Sequence, residues 1–286
     1  MKKIPLAALL LCLLPLGPSA EEPSGNVAAR RVLNRYQEAV VWISAVVKVQ
    51  MGGMGVQFGS GQEYRVETLG TVISREGLVV ASYSMLDPMG TSSDGAYGFG
   101  EEEMQFDVKV RFSEVVIRLA DDTEVPARLV LKDPDLDLAF LLPHPPQGGT
   151  PPRSFVHIPL ERGGTADLLD DLILLGRLGQ SLDRQPSLAF GRVSAVVRKP
   201  RTFYVGSMYA SDFGTPVFTL DEKPLGICLI RKAPQPGASM SMSMSGGLLS
   251  SVVLPCDQIL EIAEQATEDR EKSPGRASAE TQEMKH

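Results

Sequence analysis

The chain has 286 residues, 43% of them hydrophobic, enough for one large domain or two small ones. Its 28 basic and 35 acidic residues leave a net charge of −7, which argues against a nucleic-acid binder, since those draw on Lys and Arg contacts to phosphate. Three cysteines, one of them in the first twenty residues, are too few for a disulfide scaffold, and no CxxC motif or cluster among the three histidines points to zinc.

The first twenty residues, MKKIPLAALLLCLLPLGPSA, join a basic start to an apolar run and a small-residue end at Pro18-Ser19-Ala20. This is the pattern of a secretory signal, too short for a comfortable membrane span. The sequence therefore predicts export, to the periplasm or outside the cell, with no integral membrane segment after cleavage. Without residues 1–20 the chain keeps 26 basic and 35 acidic residues, a charge of −9. Cys228 and Cys256 remain, and one bridge between them is possible in an oxidising compartment.

Apolar spacing predicts a helix around Asn26–Val41. From there short β-type runs alternate with Gly, Pro and Asp: VVWISAVVKV, TLGTVISREGLVVASYSML, VVIRLADDTEVPARLVL, LDLAFLL, LILLGRL, FGRVSAVVR, TPVFTL, PLGICLI and LLSSVVL. Many short strands between turn signals predict a sandwich or barrel rather than βαβ units. Trp42 and Phe140 fall in strand patterns and read as core. Two segments break the rhythm: the glycine-rich Pro88–Glu103 and the methionine–serine run within Ala233–Ser245. A closing amphipathic helix, CDQILEIAEQA, follows Pro255, and residues 268–286 read as a polar, disordered tail.

Five of these pieces, in this order, resemble the HtrA/Deg-type proteases of the chymotrypsin fold. TLGTVISREGLVVAS is similar to the segment leading into that family's catalytic histidine, and VIRLADDTEVPARLVLKDPDLDLAFL to the one carrying its aspartate. LDDLILLGRLGQSLDRQPSLAFGRVSAVVRK is similar to the entry into its second barrel, SDFGTPVFTLDEKPLGI to its serine loop, and GGLLSSVVLPCDQILEIAEQA to its closing strand and helix. The resemblance implies an all-β, trypsin-like double β-barrel of two six-stranded barrels with N- and C-terminal helices. The implied domain spans 21–267, with lobes at about 28–146 and 152–254. No counterpart of the family's peptide-binding PDZ module is expected.

Acyl transfer by this family needs a hydroxyl, an imidazole to take its proton and a carboxylate to orient that imidazole. The resemblance puts Asp137 at the carboxylate position, Ser84 where the imidazole would stand and Phe213 where the nucleophilic serine would stand. Ser211, Asp212, Gly214 and Thr215 form what remains of the oxyanion loop, with Thr215 in place of a second glycine. His144 reads as linker, His157 as first strand of the second barrel and His286 as tail, so none is placed to serve as a substitute base. Lys132 and Lys223, the lysines considered for a Ser–Lys dyad, sit in turn-like polar sequence. Asp137 is expected to bond to Ser84 or nearby backbone, and Phe213 either to plug the vacated site or to line an apolar groove.

The predicted function is that of a catalytically inactive homologue that binds an extended peptide or protein partner between its barrels, without a cofactor. One alternative is an active serine-type endopeptidase using Ser211 or Thr215. Another is a copper-binding protein: Met240, Met242 and Met244 alternate with serine, which places their soft thioethers on one face of a strand, and Met51 and Met54 could add ligands. Glu101, Glu102 and Glu103 read as a solvated loop face.

Overall fold

A computed structural model describes residues 24–53, 56–87, 106–145, 153–206, 213–232 and 249–272. The leader at residues 1–20, the glycine-rich loop, Met54, Ser211, Asp212, the methionine–serine run, His286 and the end of the tail lie outside the described residues.

Twelve strands form two closed six-stranded barrels. The first contains β1 (Val40–Gly53), β2 (Val56–Val72), β3 (Val79–Ser82), β4 (Phe106–Arg118), β5 (Glu124–Asp133) and β6 (Leu138–Pro143), in the closed order β1-β2-β3-β6-β5-β4. The second contains β7 (Asp171–Arg177), β8 (Pro186–Val197), β9 (Phe203–Gly206), β10 (Pro216–Thr219), β11 (Pro224–Lys232) and β12 (Leu249–Pro255), in the order β10-β11-β12-β9-β8-β7. Every pairing is antiparallel, as hairpin-linked strands of this length allow. Closure leaves no sheet edge in either barrel. This is the trypsin-like double barrel that the sequence implied.

Alternation along the strands divides the apolar side chains between two clusters. In β7, Leu172 and Leu174 belong to the interior of the second barrel, while Ile173 and Leu175 join the larger core. That larger core runs through the first barrel and under both helices. Each fully buried Leu, Ile or Phe in it contributes roughly 1.5–3 kcal/mol relative to exposure.

Helix α1 (Ser24–Tyr36) buries Ala28, Ala29, Val32 and Tyr36, spaced three to four residues apart on one face. Tyr36 stacks on Phe218 of β10 with ring centroids 5.5 Å apart, so the N-terminal helix packs on the second barrel. The helix stops earlier than apolar spacing predicted: residues 37–39 form a single 3-10 turn and β1 already begins at Val40. The β-branched pair Val40-Val41 pairs with Thr71 and Gly70 of β2, and this ladder outweighs the local helical pattern. At the other end, helix α3 (Cys256–Lys272) continues five residues into the stretch read as tail.

Phe140 is fully buried, as predicted, but Trp42 is only partly so, and its indole N–H donates to the Leu178 carbonyl at 3.1 Å. His157 lies in an irregular segment between the barrels rather than in a strand, with Nδ1 3.3 Å from the Phe155 carbonyl oxygen. Lys132 lies in β5 rather than in a turn; its ammonium is 3.2 Å from the Tyr83 hydroxyl and over that ring. Arg177, at the end of β7, is buried and donates to three carbonyls, those of Gln37, Val40 and Arg184, at 2.6, 3.0 and 2.8 Å.

Candidate active-site cleft

Strand pairing assembles the first wall of the cleft. Ser82, the last residue of β3, pairs with Leu138, the first of β6, so the residues just beyond them meet. The Tyr83 N–H donates to the Asp137 carbonyl at 2.9 Å. Asp137 has φ +61, the left-handed region that Asp tolerates better than most residues. A one-turn helix, α2 (Tyr83–Leu86), then follows Ser82 and carries Ser84.

The Asp137 carboxylate is 3% exposed and works as a hydrogen-bond hub. Its Oδ2 accepts from the Ser82 hydroxyl at 2.6 Å and from the Ile230 backbone N–H at 2.8 Å. Its Oδ1 accepts from the Ser84 backbone N–H at 2.6 Å. Burial pushes the Asp137 carboxyl above its ordinary value, while the bonds from Ser82, Ser84 and Ile230 pull it back. A buried carboxylate must find donors, and here it finds hydroxyls and amides. The expected partnership of Asp137 with Ser84 is present. Ser82 and Ile230 were not foreseen. Ile230 lies 93 residues away on β11, and no local pattern flags it.

The second wall is the turn at residues 213–215. The Gly214 N–H donates to the Cys228 carbonyl at 2.8 Å, and the Cys228 N–H donates to the Thr215 carbonyl at 2.9 Å, which ties the turn to β11. The Thr71 hydroxyl of β2 donates to the Gly214 carbonyl at 2.7 Å, a buried bond between barrels. Gly214 has φ +84, and a Cβ there would collide with the Leu69 carbonyl oxygen of the first barrel. Thr215 is fully buried. The Phe213 ring is half-buried and packs against the interior of the second barrel, on the cluster containing Leu172, Val217, Cys228 and Val253.

No described histidine reaches this carboxylate. His157 has its ring beside Phe155, and the His144 N–H donates to the Pro126 carbonyl at 2.9 Å. Among the described residues there is no cluster of His, Cys, Asp and Glu able to hold a metal ion, and no helix long and apolar enough to cross a membrane. Cys228 and Cys256 are both buried and form no disulfide. The register shows why: Cys228 pairs with Val253, three residues short of Cys256. Cys256 also lines a cavity of about 490 Å³ together with Leu160, Thr165, Arg198, Tyr204 and Asp257. Burial pushes that thiol up to about 12, so it carries no thiolate at neutral pH.

The trypsin-like peptidase domain profile matches residues 68–227, more than half of the sequence, and the chain belongs to that family. No curated protein matches at the sequence level. Among solved structures, the MamO protease domain from Magnetospirillum magneticum, in its apo form, is 17% identical; the match covers 79% of this chain and 96% of that one, with a TM-score of 0.47. An HtrA-type protease, AlgW, solved as a single-residue variant with a decapeptide, is 15% identical over 84% of this chain and 67% of that one, with a TM-score of 0.51. The likeness to AlgW speaks for the fold.

Proposed function

We propose that this member of the trypsin-like peptidase domain family is catalytically inert and, once exported, holds an extended polypeptide segment in the cleft between its barrels. One observation carries the reading: the donors bound to the carboxylate at the triad-acid position are serines and a backbone amide, with no imidazole among them. Ser84 stands where the base would be, and Phe213 where the nucleophile would be. Removing a single triad member leaves only about 10³–10⁴-fold catalysis over water, and here two are replaced together. The alternative nucleophile Thr215 is fully buried, out of reach of a substrate in the cleft.

The binding half of the proposal rests on the surviving frame. Gly214 and Thr71 keep the serine-type turn against the first barrel, which supports a retained interbarrel site whose reactive groups are exchanged. AlgW was solved with a decapeptide, and an occupant of that kind is the one proposed here. Residues 1–20 supply the export signal.

The mature chain, from Glu21 onward, is to be mixed with unfolded casein and, separately, with a fluorophosphonate probe. Binding of casein without fragments, and no covalent label, is the expected result. Phe213→Ser alone also stays unlabelled, because no base is restored. Fragments whose formation stops on substitution of Ser211 or Thr215 would overturn the inert reading; failure to bind casein would overturn the binding reading.

A further inference from the structure

The turn before β7 carries an arrangement unrelated to the cleft. Its sequence is Asp167-Leu168-Leu169-Asp170-Asp171, and Leu168 and Leu169 are 59% and 66% exposed. These are the two most exposed large apolar side chains among the described residues. Leu169 also has φ +72, a conformation that suits glycine and strains a residue bearing a Cβ. A leucine here is disfavoured in the isolated chain twice over, by its backbone and by its contact with water. An outlier of this kind is a reason to look for a function.

The turn is rigidly held. The Leu169 N–H donates to the Val193 carbonyl and the Val193 N–H to the Asp170 carbonyl, both at 2.9 Å. The Asp167 N–H donates to Asp170 Oδ2 at 2.7 Å, and the Asp170 N–H to the Asp167 carbonyl at 3.1 Å. Two leucines presented on a fixed backbone lose little conformational freedom when a partner covers them.

The same end of the barrel offers more apolar surface. Asp171 pairs with Arg192 on β8, and Phe190, two residues along that strand, is 51% exposed. On the other side of β7, Leu172 pairs with Thr219, and the next residue, Leu220, is 36% exposed. Four acids, Asp167, Asp170, Asp171 and Asp221, border this surface against two arginines, Arg192 and Arg198. Asp171 is engaged by Arg192 at 2.7 Å, and Asp167 only loosely by Arg198 at 3.9 Å. Among the described residues, Asp170 and Asp221 have no cation within ion-pair distance.

The geometry points to a docking knob: Leu168 and Leu169, flanked by carboxylates, take a polypeptide partner whose contact surface is apolar with Lys or Arg around it. Acid beside the leucines speaks against an anionic lipid surface, which recruits basic segments instead. Opposite charge at the rim steers encounter, and the buried leucines supply the affinity.

Two fluorescent peptides of equal length, one alternating Leu with Lys and one alternating Leu with Glu, serve as probes of the full mature chain. The Leu/Lys peptide binds the wild type about tenfold or more tightly than the Leu/Glu peptide, and Leu168→Ser combined with Leu169→Gly removes that preference. Leu169→Gly alone weakens binding and raises the thermal midpoint, since it relieves the strained φ; a leucine serving only the fold would give the opposite shift. Equal binding by the double variant, no preference for the cationic peptide, or a lowered midpoint for Leu169→Gly overturns the assignment. Self-association that the double variant abolishes gives the knob to a second copy and overturns the basic partner. None of these readings depends on the casein or fluorophosphonate result at the cleft.

Discussion

The two walls of the cleft are held by different means. On the first barrel a side chain does the holding: the Asp137 carboxylate gathers a hydroxyl and two backbone amides, one of them from the other barrel. On the second barrel the backbone does it: Gly214 lies so close to Leu69 that only the absence of a Cβ permits the approach. Neither device needs an imidazole or a nucleophilic hydroxyl. The contrast teaches that a buried carboxylate and a bare backbone can each fix one wall of the same site.

The backbone wall is the more brittle. Gly214→Ala places a methyl against the Leu69 carbonyl at a strained φ, with an expected loss on the order of 3–5 kcal/mol in urea unfolding. Tolerance of that methyl would mean that the walls are not pressed together. The side-chain wall ranks next. Asp137→Ala strands the Ser84 and Ile230 amides without an acceptor, at about 2–4 kcal/mol, whereas Ser82 can turn its hydroxyl elsewhere. A loss as small as that of a surface substitution would remove Asp137 as the hub. Thr71→Val deletes the one hydroxyl bond to the Gly214 carbonyl and is expected to cost about 1–2 kcal/mol.

The smallest expected effect is a pH dependence. Burial holds the folded Asp137 carboxyl above its unfolded value near 3.8, so the folded state binds the proton more tightly. Its contribution to stability is therefore largest below the unfolded value and falls as pH rises through the folded one. Against Asp137→Asn, which does not titrate, the wild type should gain relative stability as pH is lowered from neutral toward 4. Thermal melts of both proteins across that range check the sign; a gap that shrinks in acid would show a carboxyl stabilised as the anion.

Most of the architecture was legible because it is written in local alternation. The nine β-type runs, the turn residues between them and the five segments in family order led to the double barrel and to Asp137. What failed was long-range. Val40 and Val41 sit in a helical pattern, and only their pairing with β2 makes them strand. The Ile230 amide donates 93 residues from its acceptor, and an amide has no sequence signature. Lys132 reads as turn because its neighbours are polar, yet β5 pairs it with Ala139 of β6. The strain at Leu169 was equally hidden, since a leucine among aspartates says nothing of its φ.

Arg177, buried at the end of β7, donates to the Gln37 and Val40 carbonyls just before and at the start of β1, and to the Arg184 carbonyl in the connection to β8. Parting β7 from the start of β1 would leave that desolvated guanidinium without two of its three acceptors.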